Sequence, residues 1–151
     1  PSLGSKIIEK FFIKEHDVYR FIFKGVNCMN PYKEIGEEKL HQMIDIFYNY
    51  VKNDDRMNHL FPGDWAETAR KQKQFQTQFL GGPNLYIEEH GHPMMKARHM
   101  PFAITEIERD AWLENISKAI DDVGLDANMK GYLMERYTMV AHHMQNSTVN
   151  E

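Results

Sequence analysis

"MMKARHMPFAITEIERDAWLENI", Met94 to Ile116, ends a short helical stretch on a histidine and then starts a long, well-capped helix. Pro101 disfavours helical geometry at Met100, so a helix between Pro93 and His99 stops there, with Pro93 suiting its first position. Thr105 and Glu108 form a T-x-x-E capping box for a helix reaching about Val123. The core face of that helix reads Ile107, Ala111, Trp112, Ile116, Ala119 and Val123. A stub that presents one imidazole is therefore followed by an amphipathic helix carrying a tryptophan.

Helical signals continue on both sides. "DWAETARKQKQFQTQFLGGP", Asp64 to Pro83, has Asp64 as N-cap, Glu67 three residues on, and Gly81-Gly82-Pro83 as its stop. Phe61-Pro62-Gly63 closes the turn before it. "GEEKLHQMIDIFYNYVKND", Gly36 to Asp54, spaces Leu40, Met43, Ile44 and Phe47 at helical intervals, with Tyr48 and Val51 extending the stripe. A last helix from near Asp126 to Met144 presents Met129, Leu133, Tyr137, Val140 and Met144. There is no strand-like alternation, so the sequence predicts an all-α fold.

The 151 residues suit one main domain, and 42% hydrophobic content is enough for a real core. A net charge of −4 gives no basic field for nucleic acid. No apolar run approaches the ~20 residues that span a bilayer. Cys28 is the single cysteine; it excludes an internal disulfide and fits a reducing, cytoplasmic setting. Residues 1–28 stand apart: Pro1–Ser5 reads as a cloning scar, followed by an atypical extension rich in Ile, Phe and Lys. Met29 makes a plausible natural start, so 29–151 is the expected domain.

His99 admits two readings. A charged imidazole in the last turn of a helix gains from the dipole, which makes it a capping residue. Alternatively it is the lone protein ligand of a metal whose other ligands come from a macrocycle, as in haem. The stripe of Thr68, Gln72, Phe75 and Phe79 also divides. Either the first turn is solvated, or polar groups and rings line a pocket over a reactive centre. His90, His92 and His99 offer a third chemistry, a zinc site, although their spacing follows no strong template.

The stretch "HLFPGDWAETARKQKQFQTQFLGGPNLYIEEHGHPMMKARHMPFAITEIERDAWL", His59 to Leu113, resembles the group II truncated haemoglobins, especially those of low-GC Gram-positive bacteria. The resemblance runs from Asn30 to Ser147 and rests on Gly-Gly-Pro, His-Gly-His-Pro, Arg-His-x-Pro-Phe and Arg-Asp-Ala-Trp-Leu occurring in order. It implies a two-over-two helical sandwich around haem b. His99 falls on the family's iron ligand, and Tyr48, Thr68, Gln72 and Trp112 on the distal positions around a bound gas. Phe61 takes the place of an aromatic that wedges against haem, a tyrosine in some members. Lys71 and Arg98 fall where the family pairs cations with the propionates, and Phe75, Met95 and Phe102 on the haem walls. Residues 1–28 have no counterpart.

The resemblance implies binding of dioxygen, carbon monoxide, nitric oxide or peroxide, with an unidentified reductase restoring ferrous iron. Bound dioxygen gathers negative charge on its outer atom, and carbon monoxide gathers little. Several donors converging on that atom imply slow oxygen release and suit redox chemistry on oxygen, nitric oxide or peroxide, including peroxidase-like activity. The competing expectation is a haem-independent helical interaction module docking through the apolar N-terminal segment.

Overall fold

A computed structural model describes residues 30–149, and every regular element among them is helical. α1 is Pro31–Ile35, α2 Glu37–Lys52, α3 Trp65–Phe79, α4 Leu85–His90, α5 Met95–His99, α6 Glu106–Asp122 and α7 Ala127–Met144. A 3₁₀ turn, Asn58–Leu60, follows α2. α2 packs on both α3 and α6, and α6 packs on α7. The four long helices thus form two pairs laid one on the other. The readings placed on residues 1–28 and on Met29 lie outside the described residues.

The predicted caps form. Asp64 accepts from the Ala66 N–H at 2.9 Å, and Asp126 from the Met129 N–H at 2.8 Å. The Thr105–Glu108 capping box closes in both directions. The core gathers Leu40, Met43, Ile44, Phe47 and Val51 of α2 against Ile116, Ala119 and Ile120 of α6 and Leu133 and Tyr137 of α7.

The N-terminal end of the domain is sewn to the end of α3. The Tyr32 N–H donates to the Leu80 carbonyl at 3.0 Å, and the Asn30 side chain donates to the Gly81 carbonyl at 3.1 Å. Gly82 permits this approach. A Cβ there would sit 2.8 Å from both the Thr77 carbonyl oxygen and the Tyr32 ring, closer than real Cβ atoms come.

Three local expectations need correction. Ile107 does not face the core; it is 45% exposed. It lies in the first turn of α6, before the helix reaches α2. Pro93 is not a first helical residue: Met94, in the left-handed region at φ 48°, redirects the chain, and α5 begins at Met95. His90 is the last residue of α4, a helix the sequence does not predict.

Candidate functional site

A cavity of about 420 Å³ lies among α2, α3, α5, α6 and α7, within the roughly 300–1,000 Å³ typical of ligand sites. Each residue expected at the site lines it. α5 contributes Met95, Arg98 and His99, and α3 contributes Thr68, Lys71, Gln72 and Phe75. Tyr48 comes from α2, Trp112 from α6, and Phe61 and Phe102 from connecting loops.

The geometry around His99 begins with one hydrogen bond. His99 Nδ1 contacts the Met95 carbonyl one turn earlier. A carbonyl only accepts, so Nδ1 carries the proton and Nε2 of the neutral ring keeps its lone pair. Metal-binding imidazoles are oriented in this way, their second nitrogen donating to a carbonyl or carboxylate.

Three polar groups that α2, α3 and α6 bring to the cavity are unpaired among the described residues. The Tyr48 hydroxyl, the Gln72 amide and the Trp112 indole N–H make no hydrogen bond to another described residue. Tyr48 is buried and Gln72 and Trp112 are half-buried, so their unpaired polar atoms open onto the cavity and are free to meet a ligand there. Burial also pushes the Tyr48 hydroxyl well above its ordinary pKa, so it stays protonated and can donate. Phe61 sets its ring edge-on to Tyr48 at 5.8 Å, which puts carbon, not a second hydroxyl, beside the phenol. Thr68 differs from the other three: its hydroxyl donates to the Asp64 carbonyl at 2.9 Å, leaving only its oxygen lone pairs toward the cavity.

Two exposed cations stand at the cavity. Lys71 Nζ is 3.9 Å from Glu67, a loose contact, and the Arg98 guanidinium lies 5.9 Å from the centre of the Tyr86 ring. Neither makes a close ion pair with a described residue, so both remain available to an anionic group.

Sequence reasoning overlooked part of the wall. Tyr86 of α4 and Tyr137 of α7 line the cavity, and Tyr137 donates to Gln76 Oε1 at 2.7 Å. Tyr137 was legible as an apolar-stripe residue, but periodicity does not separate a core contact from a cavity wall. The zinc alternative gains nothing here. His90 Nε2 is engaged with Gln74 Oε1 at 2.8 Å, and no group of three His, Cys, Asp or Glu among the described residues is placed to hold a metal.

One imidazole with a free Nε2, a largely apolar slot, unpaired donors and two flanking cations are the donor set that a flat anionic macrocycle with a central metal requires. Residues 30–146 match the model of the Bacterial-like globin family. The sequence is 52% identical over 127 residues to the group 2 truncated haemoglobin YjbI of Bacillus subtilis, covering 84% of this chain and 96% of that one. This chain belongs to the group II truncated haemoglobins. The group II truncated haemoglobin of Bacillus anthracis superposes with a TM-score of 0.77 at 48% identity, over 80% of this chain and 98% of that one. The truncated oxygen-avid haemoglobin of Bacillus subtilis gives a TM-score of 0.75 at 52% identity, over 78% and 100% respectively. As a truncated haemoglobin the chain binds haem and, through it, oxygen or another small ligand. No described helix is long and apolar enough to cross a membrane.

Proposed function

We propose that this truncated haemoglobin holds haem b through His99 and retains dioxygen by hydrogen bonds from Tyr48, Gln72 and Trp112. The observation that carries the reading is the cavity shared by an imidazole with a free Nε2 and three polar groups without internal partners. Haem supplies the iron that takes the gas, and the chain supplies everything around it. His99 Nε2 offers its lone pair to the metal. Lys71 and Arg98 pair with the propionates, while Phe61, Phe75, Met95 and Phe102 hold the macrocycle and exclude water.

Negative charge on the outer atom of a bound dioxygen would strengthen each bond donated by Tyr48, Gln72 and Trp112. A hydrogen bond to a charged acceptor is worth about 1.5–3 kcal/mol, or roughly 10- to 100-fold in release rate. Three donors suit retention better than transport, and the relative from Bacillus subtilis described as oxygen-avid supports that direction. The same donors would polarise the O–O bond of a bound peroxide, which extends the proposal to peroxidase-like chemistry with a separate reductase. Redox chemistry on bound oxygen or nitric oxide would use the same pocket. The single cysteine fits the reducing cytoplasm, where we place the protein.

Titration with haemin, followed by absorption, tests the site. Saturation at about one haem per chain is expected, with a histidine-ligated ferrous spectrum that His99→Ala abolishes. A ferrous spectrum unchanged in His99→Ala removes the assignment.

A further inference from the structure

The stub that carries His99 lacks the usual means of ending a helix. Helices commonly finish on a left-handed residue whose N–H satisfies the last carbonyls. Met100 instead stays right-handed at φ −56°, and Pro101 follows. The carbonyls at the end of α5 therefore need other partners.

The Phe102 N–H donates to the His99 carbonyl at 3.0 Å, and further partners come from the far end of the chain. Asn146, two residues beyond α7, donates from Nδ2 to the His99 carbonyl at 3.2 Å and to the Phe102 carbonyl at 2.8 Å. Its Oδ1 accepts from the Ile104 N–H at 2.9 Å, and its own N–H donates to the Ile104 carbonyl at 3.0 Å. One side chain thus grips the backbone before, within and after the turn that leaves the stub. The grip is itself anchored on α6: Gln145 accepts from Arg109 at 2.8 Å, and Ser147 donates its hydroxyl to Asn146 Oδ1 at 2.9 Å.

We propose that Asn146 is a positioning residue for His99, fixing the backbone of the iron ligand and thereby the angle at which the imidazole meets the haem. The proposal rests on the haem reading above. Asn146 acts through the His99 carbonyl, not on the gas or the iron. Outer-shell partners of metal ligands typically alter metal affinity by about 10- to 100-fold when removed. Asn146 acts on the backbone, so the lower end of that range applies.

Resonance Raman spectroscopy of the ferrous, ligand-free holoprotein reads the iron–histidine stretch, which reports strain and tilt at His99. Asn146→Ala is expected to shift and broaden that band and to release haem about tenfold faster than the parent. Asn146→Asp keeps an acceptor for the Ile104 N–H but cannot donate when ionised, so its band follows the alanine variant. Ser147→Ala keeps all the side-chain bonds of Asn146 to residues 99–104 and leaves the band in place. An unchanged band and haem-loss rate in both Asn146 variants would overturn the proposal, and a lowered unfolding midpoint alongside would mark Asn146 as a tie for the chain end only. If Asn146→Ala fails to fold, Asn146→Asp carries the comparison. Absence of the band from the parent protein removes the haem reading and this proposal together, whereas its loss only in His99→Ala leaves the haem reading intact.

Discussion

Tyr48 and Trp112 come from helices of 16 and 17 residues with well-buried faces, whereas His99 comes from a five-residue helix with no buried residue. Phe47 packs edge-on against both Tyr48 and Trp112, at 5.0 and 5.3 Å between ring centres, and is itself 1% exposed. On the other side, the backbone turns through a left-handed Met94, and side chains from Ala97 to Ala103 are exposed. Dense packing therefore fixes Tyr48 and Trp112, and a few directional bonds fix His99. Packing spreads its cost over many contacts, but a hydrogen-bonded stub depends on each bond it has.

Phe47→Ala attacks the packed side most directly. The fold is expected to lose about 3–5 kcal/mol, read as a lower urea midpoint, because Phe47 fills the space between the two donors. Trp112→Phe leaves that packing nearly intact and removes one N–H. Stopped-flow measurement should show oxygen leaving roughly 10- to 100-fold faster, and carbon monoxide release changing far less. Tyr48→Phe moves oxygen release in the same direction. Unchanged rates in both variants would make the packed donors structural only.

A pH series separates the sides further. Burial raises the pKa of Tyr48 and of Tyr137, and both belong to the packed frame. Their folded values lie above the unfolded value of about 10, so their contribution is complete below about pH 10 and is lost as pH rises through the folded values. Stability against urea should thus hold up to about pH 10 and then decline, with a shallower decline in Tyr137→Phe. Smallest of all is Met94→Gly on the stub side. Relief of a left-handed backbone, worth about 1 kcal/mol, is offset by the roughly 0.5–1 kcal/mol entropic cost of glycine. The thermal midpoint should move by an amount equivalent to no more than about 0.5 kcal/mol.

The same division governed what could be read from the sequence. α2, α6 and α7 repeat an apolar stripe over four or more turns, and their buried faces agree with that stripe nearly throughout. Ile107 broke the rule because it lies in the first turn of α6, where the apolar face of the helix is left uncovered. α4 escaped notice because six residues hold too few turns to show a period. His99 was visible from Pro101 and the capping box, and the family resemblance supplied its role. Asn146 was invisible: nothing local marks an asparagine that closes a turn 42 to 47 residues earlier.

The corner that Gly82 makes also governs grafting at the amino end of the globin. Asn30 and Tyr32 are tied to Gly81 and Leu80, so a polypeptide fused ahead of residue 30 meets the domain at an attachment point held by the end of α3. A tether there pulls on bonds that secure a helix end, and Tyr48, Gln72 and Trp112 receive that force through α3 and through α1 into α2. Anchoring the protein to a surface through this corner, instead of through residues 145–149, would leave the imidazole's clasp unstretched.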